Sequence, residues 1–472
     1  MSSLEERLLR LEARVTELEA ENAALRQAVA ARDARIEALL TELGRNSSNS
    51  GKPPSSDPPG MRDKRPGRQP SAKSAGGQPG HKGHRRELLP ATRSTDRFPT
   101  RCSGCKGGLP KLSHGEPLIH QVVEIPRIVA DVSQWVLHAV QCPNCSCVTR
   151  AKLPRGVPRG MVGPHLMALI TLFIAGYKMS RRQVQEMLAD VLGITLSLGT
   201  ISNTEARVAD LLETAYGEAA EAVNAADAKN LDATSWRQSG AQRTLWVYAS
   251  RLATVFSIVA DGTTESLRTL VSSLTGILMT DRGKQFTFWA MEKRQICWAH
   301  LLRKFAEFQQ HSDQAVSNLG DGLVLITQGM LHHWHRVRDG TMTREEFSRV
   351  VVPQAELHIH RMLDELVALQ RRGVSGACED ILKHQEALFT FAKVAGVEPT
   401  NNHAERELRD FVLWRKTSLG SQSDRGDRFA ERAMTVLATL KKHERQPLAF
   451  LEDTIVAALH RRPSPKLLPA TP

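Results

Sequence analysis

Lys229-Asn230-Leu231-Asp232-Ala233-Thr234 reads as a short strand with a carboxylate near its end, and Gly276-Ile277-Leu278-Met279-Thr280-Asp281 reads as another strand that also closes on an acid. Between them, Leu245-Trp246-Val247-Tyr248-Ala249 and Thr254-Val255-Phe256-Ser257-Ile258-Val259 carry the β-branched and aromatic residues of a hairpin. A helix of roughly 265–274 follows the hairpin. Arg294-Gln295-Ile296-Cys297-Trp298 is a further strand, entering a basic helix from Ala299 to Gln309.

Strand, hairpin, helix and strand, with acids at two strand ends, is the order of a ribonuclease-H-like α/β core. The acids have a chemical use. Displacement at a phosphodiester needs an activated attacking oxygen and a stabilised leaving oxygen, which two Mg²⁺ ions roughly 4 Å apart supply together. Hard cations take oxygen ligands, so Asp and Glu are the fitting side chains. Strand ends hold two acids rigidly, and a later helix can bring the third. Candidates for that third acid lie in Thr400-Asn401-Asn402-His403-Ala404-Glu405-Arg406-Glu407-Leu408-Arg409. Glu405 and Glu407 stand two apart and point to nearly opposite helix faces, so only one can join the site. Asp281 and Glu405 are 124 residues apart, and the intervening 313–396 reads as a helical insertion in the core spanning 226–445. Its His332, His333, Trp334 and His335 fit a helix surface or a DNA contact better than a metal site.

Upstream, Cys102-x2-Cys105 and Cys142-x2-Cys145 are separated by 36 residues. Four thiolates are the ligand set of a closed tetrahedral Zn²⁺ site, structural because no position stays open for catalysis. Val122, Val123, Ile125, Val129 and Val132 to Val136 read as strands, which makes 96–155 a zinc-ribbon-like module with Cys147 to spare. Residues 156–225 read as a helical DNA-binding region. Ser180 begins one helix to Leu192, Gly193 breaks it, and Thr200 begins another toward Ala220, a spacing that admits a helix-turn-helix.

The chain opens on heptads. Leu8, Val15, Asn22, Val29, Ile36 and Leu43 occupy one seam position, and Leu4, Leu11, Leu18, Leu25 and Leu39 the other, with Arg32 the interruption. This predicts a self-associating, leucine-zipper-like coiled coil over 1–45, in which Asn22 fixes a parallel register. Residues 46–95 read as a disordered basic linker, with nine Lys/Arg against two Asp between Gly51 and Arg86. Residues 446–472 read as a C-terminal tail. The whole is a multidomain α+β protein.

With 472 residues, a formal charge of +12 and a pI near 9.5, the chain favours polyanionic partners, nucleic acid first. Its charged first residues form no signal peptide, and the longest apolar stretch, Leu166 to Tyr177, is too short to span a bilayer. Two close cysteine pairs suit a reducing compartment, so a cytoplasmic, membrane-free protein is expected.

Several segments carry a resemblance that runs in order along nearly the whole chain. They are the Asn46-to-Asp57 run, the Gly76-to-His84 run and the paired cysteine knuckles, followed by Cys297-Trp298-Ala299-His300-Leu301-Leu302-Arg303 and Asn401-Asn402-His403-Ala404-Glu405-Arg406. The last is Trp414-Arg415-Lys416-Thr417-Ser418-Leu419-Gly420-Ser421-Gln422-Ser423. The sequence resembles the transposases of the bacterial insertion sequence 66 family. The resemblance implies a zipper-like N-terminus, a zinc-binding domain and an Asp-Asp-Glu catalytic triad on Asp232, Asp281 and Glu405, using Mg²⁺ or Mn²⁺, and so decides for Glu405 over Glu407. It implies transposon ends and target DNA as partners, and accessory proteins of the same element. Arg406, Arg409, Arg415 and Lys416 are expected on phosphates near the metals, with Lys82, Arg85 and Arg86 of the linker as further contacts. One departure is visible, since Asp232-Ala233-Thr234 stands where the family often has Asp-Glu-Thr. The alternatives are a catalytically inactive zinc-containing DNA-binding protein derived from a transposase, and a zinc-dependent scaffold, which the basic linker disfavours.

Overall fold

The structure is a computed structural model that describes residues 14–32, 35–36, 87–126, 128–271 and 274–469. The seam positions Leu4, Leu8, Leu11, Leu39 and Leu43 lie outside the described residues, as do the basic run up to Arg86 and its Lys82 and Arg85. Residues 14–32 are helical, and the seam residues Val15, Leu18, Leu25 and Val29 are all exposed.

A small antiparallel ladder, β1 (Ala139–Gln141) with β2 (Val148–Arg150), brackets the second cysteine pair. The strands expected from Val122 to Val136 do not form. Val122, Ile125, Val129 and Val132 stay exposed in an irregular segment, and among the described residues no strand lies alongside to take their backbone hydrogen bonds.

The main sheet has five strands in the order β5-β4-β3-β6-β7: β3 (Ala228–Gln238), β4 (Ala241–Ala249), β5 (Thr254–Val259), β6 (Ile277–Thr280) and β7 (Arg294–Ile296). β3, β4 and β5 pair antiparallel, as consecutive strands joined by short turns can. β6 and β7 join parallel to β3, after crossovers. The chain is therefore a mixed α+β protein. Helix Glu213–Ala225 covers one face, its Tyr216 hydroxyl bonding Ser257 of β5. Helix Asn402–Ser418 covers the other, where Phe411 packs on Trp236 and Phe256 with ring centroids 5.4 and 4.7 Å apart.

The outer edge of β5 is closed by side chains. Thr254, Phe256 and Ile258 donate their amides to Thr439 Oγ1, Thr435 Oγ1 and Glu431 Oε1 of helix Asp424–Lys442. Acceptors four apart on a helix rise about 6 Å, and donors two apart on a strand about 6.6 Å, so the two rows stay in step. An edge that could template another strand is thereby sealed. The seal leaves Glu431 in a poor place for charge. Burial, with Asp427 adding, pushes its carboxyl up to about 7. A raised carboxyl pKa gives stability that is complete below the unfolded value near 4.5, falls between there and about 7, and is lost above. Glu431→Gln keeps the acceptor and cannot ionise. It is expected to flatten that slope and raise stability at pH 8 above wild type by up to about 3 kcal/mol, read as a higher unfolding midpoint; a slope unchanged by the substitution would refute the account.

The helices upstream of the sheet are not a separate unit. Ser180 caps Arg181–Leu192 through a capping box with Gln183, and Gly193 ends that helix at φ 67°. The next begins at Leu198 rather than Thr200, capped by Ser197, and Leu212 breaks it from Glu213–Ala225. These helices share one core with the sheet. The segment expected as a C-terminal tail is likewise built in. Pro447–Leu459 is a helix whose Phe450, Leu451 and Ile455 are buried, packed on helix Pro164–Thr171. Its buried residues Phe450, Leu451, Thr454 and Ile455 share one face, and burying that face outweighs the disorder its end position suggests.

A second core is built mostly from the stretch between Asp281 and Glu405, which stand 124 residues apart. Helices Gln314–Arg338, Val352–Ala368 and Ser375–Leu382 surround Trp334, Phe347 and Phe391. Leu388 accepts from Trp298 Nε1 at 2.7 Å and from Gln295 Nε2 at 2.9 Å, fastening this insertion to β7 and the helix after it. Trp334 is a core residue, while His332 and His335 are exposed.

Candidate functional site

The last paired residues of parallel strands β3 and β6 are Asn230 and Met279. Asp232 and Asp281 both stand two residues further on, side by side, Asp281 just past the end of β6 and Asp232 within β3, which runs on to Gln238 rather than ending near the acid as expected. That position follows from register alone. Asp281 is steadied by its own turn, Oδ1 accepting from Gly283 N at 2.8 Å. Behind it the buried Arg294 guanidinium donates to Thr280 Oγ1 and to the Asp281 carbonyl, fixing the strand end. Asp232 Oδ1 accepts from Ala233 N at 2.8 Å.

The third acid is delivered by Asn401. This residue is 1% exposed and caps helix Asn402–Ser418. Its Nδ2 donates to the Leu231 carbonyl at 2.9 Å, its Oδ1 accepts from Asn230 Nδ2 at 2.8 Å, and its amide donates to Cys297 Sγ at 3.1 Å. The helix start is thus tied to the two residues before Asp232, which brings Glu405, in the first turn, near both aspartates. Glu405 Oε1 receives Arg303 Nη2 at 3.2 Å and lies 3.7 Å from His300 Nδ1. Glu407 faces away, paired with Lys442 at 3.1 Å and His403 at 3.3 Å. The two glutamates left open by composition are separated by geometry.

The electrostatics fit a cation. Burial first, then the charges of Asp281 and Glu405, push the Asp232 carboxyl up to about 7. The three acids repel one another and are opposed by Arg303 beside Glu405 and by Arg282 and Arg294 beside Asp281, a balance that a divalent cation would shift further toward the charged carboxylates. Cys297, His300 and Glu405 also place one donor atom each within 4.8 Å of one another. That trio suits a metal less well. The Cys297 thiol is buried, accepts a hydrogen bond and is pushed up to about 11, so it stays protonated. His300 is held below its ordinary value by burial and then by Arg303, which favours a ligating imidazole, so the thiol is the weak member of the trio.

Of the cationic residues expected on DNA, Arg406, Arg409 and Lys416 are exposed along one stripe of the Glu405 helix. Arg415 is committed instead to β3, donating to Thr234 Oγ1 at 3.1 Å and Ser235 Oγ at 2.7 Å. It pins the far end of the helix as Asn401 pins the near end.

The two cysteine knuckles repeat one turn. Cys102 and Cys142 each accept an amide four residues on, from Lys106 and Ser146, and both of those residues are left-handed, at φ 64° and 57°. Amides of Cys105 and Gly104 lower the Cys102 thiol, and amides of Asn144 and Cys145 lower Cys142, as suits thiolate ligands. The structure brings the sulfurs together in pairs. Among the described residues the four do not form one group within 4.8 Å.

Asn401, Asn230, Arg303, His300 and Arg294 were not among the residues singled out for the site. Asn401, His300 and Arg303 lie inside the quoted motif runs, which was the available signal; Arg294 carried none.

A mixed sheet with an acid on each of two neighbouring strands and a third on a crossing helix makes a carboxylate cluster, although among the described residues the three acids do not form one group within 4.8 Å. The sequence pattern of the Transposase IS66 family matches residues 159–428, which hold the whole sheet and all three acids, and the chain belongs to that family. Residues 7–87 match a further family of unknown function. The chain is similar to two uncharacterized proteins of Sinorhizobium fredii. It is 25% identical to y4hP over 76% of this chain and 70% of that one, and 28% identical to y4qI over 39% and 36%. Among the described residues no helix is long and apolar enough to cross a membrane.

Proposed function

We propose that this protein is an active DNA transposase, cleaving the ends of an insertion sequence and joining them to target DNA by phosphoryl transfer at Asp232, Asp281 and Glu405. The observation that carries the reading is the register that sets Asp232 beside Asp281, with Glu405 brought over them by Asn401. The order and directions of the five strands are those of a ribonuclease-H-like core. When bound, Mg²⁺ or Mn²⁺ would activate the attacking oxygen and stabilise the leaving one. The three carboxylates would hold it. Arg303 orients Glu405, and the exposed Arg406, Arg409 and Lys416 draw phosphates toward the acids. An inactive derivative is the competing reading, and a complete set of acids supports the enzyme.

Around this centre, the exposed seam of residues 14–32 supports a zipper that pairs copies of the chain. The paired knuckles support structural zinc, with Cys102, Cys105, Cys142 and Cys145 as ligands. Accessory proteins of the same element and a cytoplasmic location belong to the same reading.

Purified protein, Mn²⁺ and labelled DNA carrying the element's ends test the proposal. Asp281→Asn is expected to lower joining at least about 1,000-fold, about 4 kcal/mol of barrier, while DNA affinity stays within about threefold. Equal joining rates in the two proteins would sink the assignment.

A further inference from the structure

Even-numbered residues of β3 share one face, so Asp232, Thr234 and Trp236 form a row, with helix Asn402–Ser418 lying along it. Four strand residues from Asp232 reach Trp236, and nine helical residues from Glu405 reach Trp414; each path covers about 13 Å. At that far end opens a cleft of about 510 Å³, within the roughly 300–1,000 Å³ that holds small organic groups. Its wall is apolar and aromatic, from Met179, Trp414 and Phe429. Its rim is cationic, from Arg182 and Arg425, with the Gln422 amide between wall and rim. Glu205 also lines it but is neutralised, receiving Arg181 Nε at 2.8 Å and Nη2 at 2.6 Å.

We propose that this cleft takes one unstacked nucleotide of the DNA strand held at the carboxylates, its base against Met179, Leu198 and Trp414 and its phosphate against Arg182 and Arg425. The proposal rests on the transposase reading and adds to it a second contact on the same strand. Bases offer apolar faces to such walls whatever their sequence, and guanidinium groups suit phosphate. The separation of about 13 Å corresponds to about four steps of a stacked strand. Arg406, Arg409 and Lys416 form an exposed cationic stripe on the helix that joins the two sites. A duplex is too wide for the cleft, so the nucleotide must be single-stranded or turned out of the helix.

Two substitutions test it in the full chain. Ala206→Phe fills the cleft from helix Leu198–Leu211, and Arg425→Gln removes a rim charge. Binding of a fluorescent oligothymidylate, of a blunt duplex and of free thymidine monophosphate is followed by anisotropy and competition, with unfolding midpoints as the check on folding. The expected result is about tenfold weaker oligothymidylate binding in both variants, with duplex affinity changed less than twofold and no competition by millimolar mononucleotide. Unchanged oligothymidylate binding overturns the proposal, as does an equal loss for duplex, which would make these residues ordinary backbone contacts. Mononucleotide competition that the variants abolish would assign the cleft to a free nucleotide and overturn the strand source. Metal-dependent joining by the wild type, run in parallel, reports separately on the transposase reading, so either can fail alone.

Discussion

Glu405→Gln is expected to lower strand joining by roughly 1,000-fold or more, and Glu407→Gln to leave it largely intact. The first substitution keeps the shape of the side chain and an oxygen that can accept from Arg303, at 3.2 Å in the wild type. It removes one of the three charges that would hold a cation, and that loss falls on the reaction and spares the fold. The second removes a charge from the other side of the helix. Glu407 is largely buried against Lys442, which pulls its carboxyl down together with His403, against the opposing effect of burial. Its loss costs stability, about 1–3 kcal/mol, and is softened because Lys442 Nζ also donates to the Ser250 carbonyl at 3.1 Å. Measured side by side, joining rates and unfolding midpoints should therefore cross over. A variant pair in which Glu407→Gln is the inactive one would relocate the third acid.

Gly420→Ala is expected to be the most damaging small substitution in the chain, costing about 3–5 kcal/mol. Gly420 has φ +100°, and a Cβ there would stand 2.1 Å from the Arg237 carbonyl oxygen. The backbone has no room to retreat, because Ser421 donates to that same carbonyl at 2.9 Å and Ser239 donates to the Ser421 carbonyl at 2.8 Å. The loop is sewn to the end of β3, and Ser421 and Asp427 then take the Trp236 indole N–H, at 3.3 and 3.0 Å. Moving the loop would break several of these bonds together. Gly329→Ala, in helix Gln314–Arg338 with nothing within 4 Å of the added carbon, is the matched control and should stabilise by up to about 1 kcal/mol. If thermal unfolding ranks the two substitutions the other way, the account of this loop is wrong.

Much of this organisation was legible in the residues. The alternation around Asp232, the hairpin content of 245–259 and the run ending at Asp281 mark strands by local pattern, and their order implies which strands neighbour. Ser180 and Gly193 mark a helix start and stop through their own backbone preferences. The Val122-to-Val136 run misled because β-branched residues indicate fitness for a sheet, while a strand exists only where another pairs with it. The tail at 446–472 misled because its helix is held by a partner helix nearly 300 residues earlier, Pro164–Thr171.

The sequence by itself determined the acids, the cysteine pairs, the basic composition and the family motifs, because each rests on residue type and short spacing. Tertiary structure decided which of those residues meet. Family motifs pointed to Glu405, and its place on the side of Asp232, with Glu407 turned to Lys442, follows from Asn401 bonding Leu231, a contact across 170 residues. Arg415 is an anchor because Thr234 and Ser235 happen to lie beneath it. The sealed edge of β5 depends on a helix and a strand whose rises per residue come into step only when laid side by side. Local pattern carries propensity, and long-range contact, where most of the free energy of a core resides, selects the partner.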